Sequence, residues 1–449
     1  MMAALSRRLF YPLWDLWDES IRLKELRRLE KTQWLTESQL RDTQWEKLIK
    51  IVRYAHAYSP YYRKRFIERS IDVAQIVSQE QFRNLPVLTK EDVQNRADQI
   101  ICDGYAKEKL VSAKTGGSTG KALKLYFDKQ CEEMRNAATI RSDRWAGWEL
   151  GMKRAGIWGN PPVADTIKKK IRDGLHDRMI FLDTMNIHPE TILQFVNSWR
   201  RYQPRVIYGH SHSIYMLAKY LEDRGIIDLR PRGVISTSMM LLPHEREVIE
   251  NVFLCRVTNR YGCEEVGLIA CECEEHNGMH LNADHLYVEF IREDGMPAKP
   301  GEEGKIVVTD LLNQGMPLIR YRVEDVGVPS NRRCPCGRGL PLMERVSGRV
   351  ADFLKKKDGS QVAGVSLVER TVTAIKGIGQ MQIVQEKIDQ LVLNVVRMDE
   401  YDAVSERALL SEFASVFGKE VTIQLNYMDN IKQESSGKYR FSICKIGIV

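Results

Sequence analysis

The stretch Val206-Ile207-Tyr208-Gly209 opens the part of the chain that decides the fold, because helical periodicity from Ser211 to Glu222 follows this short apolar run directly. The same order recurs where Gly233-Val234-Ile235-Ser236-Thr237 precedes a helical stretch from Pro243 to Asn251. Strand-like and helical runs that alternate between Leu110 and Asp325 predict an α/β sheet. In such a sheet, ligands bind beyond the carboxyl ends of the strands.

The segments on either side of this alternation carry different signals. Residues 17–70 have apolar residues at helical spacing, and Thr89 is a candidate N-cap that is followed by two acidic residues. Residues 304–310 and 318–322 are strand-like and predict a more antiparallel module. We therefore expect a large N-terminal α/β domain that contains several subdomains.

A small α+β domain is expected at the C-terminal end, beyond a boundary at Ser347-Gly348-Arg349-Val350-Ala351-Asp352. We predict an N-terminal domain over residues 1–348 and a C-terminal domain over residues 349–449. The predicted elements of the second domain are strands at 381–385, 391–396 and 421–426 and a helix at 401–417.

The composition excludes several classes of protein. A chain of 449 residues is too long for a single hydrophobic core, so two or three domains are expected. The net charge of +7 suits small anionic substrates, and without a long basic block it predicts no nucleic-acid partner. No apolar run approaches the roughly 20 residues that span a bilayer, and the N-terminus lacks a signal-peptide pattern. Nine cysteines, an odd number, favour a reducing compartment, which predicts a cytoplasmic protein.

A loop rich in small residues, Thr115-Gly116-Gly117-Ser118-Thr119-Gly120-Lys121, precedes the strand-like run 123–127. Glycines let backbone N–H groups converge on phosphate oxygens, while the hydroxyls and the lysine add donors and charge. The spacing differs from the Walker pattern, and a strand is expected after the loop where that pattern has a helix. The alternative is a plain glycine hairpin.

Two further segments carry acids that a nucleotide site could use. Tyr261-Gly262-Cys263-Glu264-Glu265 follows a strand-like run, and a carboxylate there could hold Mg²⁺ against phosphates. The alternative is the N-terminus of a helix with two favourable acids. Asp325 ends a strand-like run and could accept hydrogen bonds from both ribose hydroxyls, unless it lies in an ordinary turn.

Strand ends in the α/β region also supply candidates for the wall of a substrate pocket. His210 and His212 flank a serine at a predicted strand-to-helix turn, where they line a pocket or stay partly exposed. Trp158, Tyr208 and Met239 are further candidates.

The cysteines and histidines form a more specific pattern. Cys273 and His280 are followed about 55 residues later by Cys334 and Cys336, within a Cys-Pro-Cys-Gly turn of the kind that directs two thiolates at one metal ion. Structural zinc takes four tetrahedral sulfur or nitrogen ligands. The preferred ligands are these four residues, with Cys271 and His276 as substitutes. The alternative is a set of buried free thiols.

Taken in this order, the segments resemble the adenylate-forming (AMP-binding) superfamily, and particularly its phenylacetate–CoA ligase-like branch, which includes proteins of capsular polysaccharide clusters. The resemblance runs from about Ala55 to the C-terminus. It also includes Tyr58-Ser59-Pro60-Tyr61-Tyr62 and Leu85-Pro86-Val87-Leu88-Thr89-Lys90. It implies a small, mobile C-terminal domain that closes over the larger one.

The resemblance also implies roles for individual residues. The implied nucleotide-binding residues are Thr115, Gly116, Gly117, Ser118, Thr119, Gly120 and Lys121 at the phosphates, Tyr261 at adenine, Asp325 at the ribose, and Arg349 near ribose or phosphate. Glu265 is implied as the magnesium ligand, Asp352 as the hinge pivot, and Lys438 of Ser436-Gly437-Lys438-Tyr439-Arg440 as the catalytic lysine. The cysteine and histidine set matches a structural zinc site found in part of this branch. Glu264 departs from the family pattern, because a threonine or serine is usual there.

The implied activity is ATP-dependent, AMP-forming activation of a carboxylic acid. Coenzyme A is the default acceptor by resemblance, and an amine acceptor remains open. The implied partners are small molecules, in a chain that could form a homodimer. Two alternatives are a nucleotidyltransferase that places AMP on a small-molecule hydroxyl and a nucleotide-binding scaffold without turnover.

Overall fold

The structure, a computed structural model, describes residues 2–115, 123–158, 166–183, 189–349, 353–358, 361–431 and 442–446. The chain divides into two compact units. The first is Met1–Val323 with Val328–Arg345, and the second is Glu324–Gly327 with Val346–Val449.

Helices of the first unit occur from its N-terminal end to its centre. They are α1 (Met2–Leu5), α2 (Tyr11–Trp17), α3 (Arg22–Thr32), α4 (Glu37–Tyr58), α5 (Pro60–Glu68), α6 (Gln79–Arg83), α7 (Lys90–Ile100), α8 (Lys129–Trp145), α9 (Ile167–Arg172), α10 (Pro189–Tyr202), α11 (Ser211–Asp223) and α12 (Pro243–Phe253). A π-helical turn, Ser6–Phe10, joins α1 to α2, and a second one, Asp173–Asp177, follows α9.

Strands of the first unit begin after α7. They are β1 (Val111–Thr115), β2 (Leu123–Phe127), β3 (Arg154–Trp158), β4 (Met179–Asp183), β5 (Val206–His210), β6 (Gly233–Thr237), β7 (Val257–Cys263), β8 (Gly267–Glu272), β9 (Met279–Leu281), β10 (Leu286–Ile291), β11 (Gly304–Asp310), β12 (Tyr321–Ser330) and β13 (Leu342–Arg349), the last two of which continue into residues of the second unit.

The large sheet has a parallel half and an antiparallel half. Among the described residues its strand order is β10-β11-β12-β13-β9-β8-β7-β6-β5-β3-β4. The strands β4, β3, β5, β6 and β7 are parallel neighbours in that order. By contrast, β8 pairs antiparallel with both β7 and β9, and β10 pairs antiparallel with β11. The α/β prediction and the more antiparallel later module are both confirmed.

Helices cover the parallel half of this sheet. Ile207 of β5 and Val234 of β6 lie in one hydrophobic core with residues of two helices, Leu217 of α11 and Ile249 of α12. Each of these four side chains is at most 1% exposed. Burial of each such side chain stabilises the fold by about 1.5–3 kcal/mol. All five residues of β6 are buried, which explains why it appears in the sequence as a continuous run without alternation.

Local signals in the sequence place several helix ends correctly. Thr89 is the N-cap of α7, where its hydroxyl accepts from the Asp92 N–H at 3.1 Å and the Asp92 carboxylate accepts from the Thr89 N–H at 3.1 Å. This reciprocal pair satisfies two donors that a helix start leaves open. The helical prediction for residues 17–70 is confirmed over α3, α4 and α5.

The prediction for β12 differs from the observed strand. The strand begins only at Tyr321 and continues to Ser330. Asp325 therefore lies within the strand, so both its placement at a strand end and the alternative of a turn are wrong. The reason is that Val326 and Val328, which are both buried, extend the apolar pattern of the strand past the acids.

Buried charges fix α3 next to the segment between β9 and β10. Glu25 accepts a hydrogen bond from Arg28 at 2.6 Å and lies 2.7 Å from the His285 ring nitrogen Nε2. Burial opposes ionisation of Glu25, but the hydrogen bonds from Arg28 and His285 outweigh burial and hold the pKa of the carboxyl below its usual value. The stability of this packing therefore depends on an ionised Glu25.

The second unit is a small α+β domain. Its elements are β14 (Phe353–Lys355), β15 (Gln361–Ala363), α13 (Gly364–Ala374), β16 (Ile378–Lys387), β17 (Gln390–Arg397), α14 (Ala403–Phe417), β18 (Thr422–Met428) and β19 (Ser442–Cys444). Its larger described sheet has the order β18-β17-β16-β19, in which the central pair is antiparallel and the outer pairs are parallel. The three strands and the helix predicted here are confirmed. Leu393 of β17 and Phe413 of α14 are both fully buried.

Candidate active site and candidate metal centre

The loop rich in small residues connects two strands that pair with each other. Thr115 at the end of β1 is the register partner of Leu123 at the start of β2, in an antiparallel pair. A strand therefore follows the loop, as the sequence predicts. Gly116, Gly117, Ser118, Thr119, Gly120 and Lys121 lie outside the described residues, so their role at phosphates stays a prediction.

Glu265 lies in the turn that joins β7 to β8. Its side chain is buried, and its Oε1 accepts a hydrogen bond from the Tyr321 hydroxyl at 3.2 Å. A glycine is needed in the same hairpin, since a Cβ on Gly262 would lie 2.6 Å from the Gly267 carbonyl oxygen. Tyr261 lies inside β7 and not beyond it. The alternative of a helix N-terminus is wrong, because paired strands flank the turn on both sides.

A buried ion pair between Arg135 and Asp310 fixes the position of this turn. Arg135 donates to the Asp310 carboxylate at 2.6 Å and to the Glu265 backbone carbonyl at 2.8 Å. Its guanidinium lies 4.3 Å from the centre of the Phe127 ring, at the end of β2. One side chain thus connects the strand that follows the small-residue loop with the turn that carries Glu265. Sequence reasoning missed this pair, because its members lie 175 residues apart and outside any motif.

The remaining candidate residues for nucleotide binding are described to different extents. Asp325 is buried within β12. Arg349 is the last residue of β13, and only its backbone is described. Asp352 and Lys438 lie outside the described residues. Their roles at the ribose, the hinge and the reacting phosphate stay predictions.

Aromatic side chains meet at the carboxyl ends of β3 and β5. The rings of Trp158 and Tyr208 are stacked, with centroids 5.4 Å apart and planes 9° from parallel. Trp158 also lies 4.0 Å from the His210 ring. The fold therefore brings three of the candidate pocket residues together at the edge of the sheet where a ligand is expected.

Polar contacts hold the start of α11 beside this aromatic cluster. Ser211 donates to the Met239 carbonyl at 2.9 Å, and its hydroxyl lies 2.5 Å from the Ser236 hydroxyl. His212 lies 2.8 Å from the Glu245 carboxylate and is buried. His212 is thus bound to α12 and is not a partly exposed turn residue.

The four preferred metal ligands come together in the first unit. The donor atoms of Cys273, His280, Cys334 and Cys336 all lie within 4.8 Å of one another. The Cys273 and Cys334 sulfurs are 3.5 Å apart, and the Cys336 sulfur is 3.3 Å from His280 Nε2. Two of the ligands come from the β8–β9 region and two from the loop between β12 and β13, so the cluster joins segments distant in sequence.

The chemistry of this donor set fits zinc. His280 Nδ1 lies 3.2 Å from the Leu340 carbonyl, which can only accept, so Nδ1 carries the hydrogen and Nε2 keeps a lone pair for a metal. Burial lowers the pKa of His280 to about 4, so the ring is neutral at neutral pH. Burial raises the pKa of the Cys273 and Cys334 thiols, and a bound cation would compensate by stabilising thiolates. The Arg338 N–H also donates to the Cys336 sulfur at 3.4 Å.

The two substitute ligands are not part of this group of donor atoms. Cys271 is the register partner of His280, and burial raises the pKa of its thiol to about 12. His276 lies 3.3 Å from the Glu272 carboxylate. Geometry therefore favours the preferred set.

The fold of this chain is shared by solved structures of acyl-CoA ligases and of an amide bond synthetase. Solved structures of 2-hydroxyisobutyryl-CoA ligase share this fold with a TM-score of 0.72, at 18% identity, over 90% of this chain and 89% of theirs. Amide bond synthetase McbA from Marinactinospora thermotolerans has a TM-score of 0.53 at 14% identity, over 75% of this chain and 68% of its own. The predicted fold class is confirmed.

The curated proteins to which this chain is similar are CapK and phenylacetate-coenzyme A ligases. Protein CapK of Staphylococcus aureus is 25% identical over 431 residues, which cover 94% of this chain and 92% of CapK. A phenylacetate-coenzyme A ligase of Thermus thermophilus is 25% identical over 332 residues, covering 71% of this chain and 72% of its own. Residues 354–445 match the family model of the CapK C-terminal domain. The predicted resemblance is confirmed: the homologues of this chain are CapK and phenylacetate-coenzyme A ligases.

None of the helices within the described residues is both long enough and apolar enough to span a bilayer.

Proposed function

We propose that this protein is an AMP-forming ligase that activates a carboxylic acid with ATP and transfers the acyl group to coenzyme A or an amine. The observation that carries the proposal is the homology to phenylacetate-coenzyme A ligases over most of the chain, on an adenylate-forming fold. Solved structures for both kinds of acceptor share the fold. One is 2-hydroxyisobutyryl-CoA ligase in complex with an acyl-AMP and CoA, and the other is an amide bond synthetase.

The first half-reaction joins the acid to the nucleotide. A carboxylate oxygen attacks the α-phosphorus of ATP, the bond to the β-phosphate oxygen breaks, and pyrophosphate leaves. Negative charge gathers around phosphorus, and donors from the loop 115–121 and from Lys438 would stabilise it electrostatically. Mg²⁺ held by Glu265 would supply further positive charge at the phosphates.

The contacts of Glu265 support this role. Its carboxylate is held by the Tyr321 hydroxyl and its backbone by Arg135, so the group needs little reorganisation before it binds a cation. Tyr261, two positions before the end of β7, would pack on adenine, and Asp325 would accept hydrogen bonds from the ribose hydroxyls. In the second half-reaction a thiol or amine attacks the acyl carbon, and AMP leaves.

We also propose that Cys273, His280, Cys334 and Cys336 bind one structural zinc ion. The closeness of four donors and the tautomer of His280 support this assignment. The site belongs to a reducing compartment, the cytoplasm, where thiols are available as ligands. The resemblance of the sequence motifs to proteins of capsular polysaccharide clusters favours a substrate from polysaccharide biosynthesis.

A panel of carboxylic acids, assayed by pyrophosphate release in the presence of ATP and Mg²⁺, tests the ligase. We expect one class of acid to give pyrophosphate and an acyl-adenylate, and then AMP when coenzyme A or an amine is added. Lys438→Ala is the control, because it should bind ATP without releasing pyrophosphate. Pyrophosphate release that requires a hydroxyl compound, or ATP binding without any turnover, would contradict the proposal.

A further inference from the structure

The N-terminal helical segment exposes its apolar side chains. From Met2 to Trp17 the buried positions include Ser6, Tyr11 and Asp15, so the chain presents one face to the protein and the opposite face to solvent. The solvent face is apolar over almost its whole length. Its large exposed members, here called the N-terminal apolar face, are Met2, Leu5, Leu9, Leu13, Leu16 and Trp17.

Exposure of this face is not explained by the fold of the first unit. Leu13, Leu16 and Trp17 are 53%, 77% and 67% exposed. Exposed apolar residues are usually scattered singly on a protein surface, whereas these lie next to one another. A contiguous exposed apolar stripe of this kind marks a site of interaction. The segment is firmly held in place, because Ser6 donates to the Leu175 carbonyl at 2.6 Å and Tyr11 donates to the His176 carbonyl at 3.1 Å.

A second helix adds apolar and basic residues to the same region. The turn Asp173–Asp177, to which Ser6 and Tyr11 bind, follows α9 directly. Within α9, Ile167 and Ile171 are exposed, and the sequence between them is three lysines.

The charges of the two helical segments are almost all positive. Residues 2–17 and 167–172 contain six cations, Arg7, Arg8, Lys168, Lys169, Lys170 and Arg172, and one acid, Asp15. Asp15 is buried and bonded to Arg22, and Arg172 pairs with Asp177 at 3.1 Å. Arg7 remains 40% exposed beside Glu149, and Arg8 lies on the solvent side.

We propose that the N-terminal apolar face, with α9, binds the surface of an anionic lipid bilayer. Leucine and tryptophan side chains enter the boundary between headgroups and acyl chains, while arginine and lysine contact lipid phosphates; interfacial helices have this composition. The excess of positive charge opposes pairing of two copies through this face, because like charges would meet. Membrane attachment of this kind needs no spanning helix, and it would hold the ligase beside a lipid-borne acceptor or product.

Co-sedimentation of the full-length chain with vesicles tests this proposal. We expect binding to phosphatidylcholine vesicles that contain phosphatidylglycerol, and much weaker binding to phosphatidylcholine alone or at high salt. The double variant Leu13→Glu/Leu16→Glu should bind the anionic vesicles at least about tenfold less, and Arg8→Gln about fivefold less.

A matched double variant distinguishes this face from other exposed apolar residues. Val77 and Ile227, which are 70% and 71% exposed, lie elsewhere on the first unit, so Val77→Glu/Ile227→Glu should bind vesicles as the parent does. Unchanged melting temperatures of all variants would show that they fold.

Three results would overturn the proposal. The first is that the parent binds neither kind of vesicle. The second is equal binding by the parent and Leu13→Glu/Leu16→Glu. The third is that the parent forms a dimer by light scattering, while Leu13→Glu/Leu16→Glu is a monomer that binds vesicles as the parent does. The face would then join two copies of the chain.

Discussion

Replacing Arg135 by methionine would leave Asp310 as a fully buried carboxylate without its cationic partner. The Asp310 side chain has no solvent exposure and that of Arg135 has 12%, so water cannot compensate the loss. Breaking one partner of such a pair costs about 3–5 kcal/mol of unfolding free energy. The first unit contains about 340 residues, and an unfolding entropy of about 2.1 cal/mol/K per residue converts that loss into a melting temperature lower by about 4–7 °C.

The same substitution should also impair catalysis, because Arg135 holds the Glu265 carbonyl at 2.8 Å. A displaced Glu265 would lower kcat/KM for pyrophosphate release by about 10–100-fold, the range expected when a ligand shifts by about 1 Å. The double variant Arg135→Met/Asp310→Asn separates the two effects. It removes the unpaired charge and should recover most of the stability, while activity stays low.

Arg200→Met is the matched control for the ion pair. Arg200 pairs with Asp228 at 2.6 Å, but the two side chains are 49% and 48% exposed, so the loss should be at most about 1 kcal/mol. Thermal unfolding followed by circular dichroism gives the stabilities. If Arg135→Met lowered the melting temperature no more than Arg200→Met, or if the double variant regained full activity, the reasoning from this pair would be refuted.

Four further outcomes are expected. Elemental analysis should find about one zinc per chain in the parent and none in Cys336→Ser, whereas Cys271→Ser should keep the metal; equal zinc in both would exclude the cluster. Asp325→Ala should weaken ATP binding by about 1–3 kcal/mol in calorimetry, since a charge-assisted hydrogen bond to ribose is lost, and unchanged affinity would contradict that role. Lys438→Ala should slow adenylate formation by orders of magnitude yet largely spare the conversion of a supplied acyl-adenylate, and equal damage to both halves would rule out a lysine that acts in one of them. The pKa of Glu25 is lowered in the folded chain, so its stabilising effect is complete above the unfolded pKa of about 4.3 and is lost as the pH falls through the folded value; melting temperatures measured down this acid range should therefore depend less on pH in Glu25→Gln than in the parent.

The sequence predicts those parts of the fold whose signals are local. The apolar runs at β5 and β6 and the helices after them follow from periodicity, and Thr89 with Asp92 encodes a helix start within four residues. The extent of β12 was predicted less well. Its acidic residues suggest that the strand ends there, but the strand continues because Val326 and Val328 are buried. Their burial depends on neighbouring strands, which the local sequence does not show.

Some parts of the candidate site could likewise be predicted from local sequence, and others could not. The two thiols of the Cys-Pro-Cys-Gly turn are visible as a motif, and the structure places their preferred partners beside them. The pair between Arg135 and Asp310 could not be predicted, because one residue lies on a helix and the other ends a strand far along the chain. Neither has a neighbour in sequence that indicates a buried charge. Such pairs become visible only when the sheet has brought their elements together.

With a metal ion bound, the cysteine and histidine cluster would cross-link the chain without an oxidant. His280 and Cys334 lie far apart in sequence, and a metal bound to both would close a loop of about 54 residues in the unfolded chain. By the entropy of loop closure, a permanent bridge of that length would disfavour the unfolded state by about 4 kcal/mol. A disulfide would achieve this only under oxidising conditions, whereas thiolates and an imidazole achieve it while reduced. The bridge would also be reversible. The concentration of free metal, and not the redox potential, would therefore set how much the cross-link stabilises the folded chain.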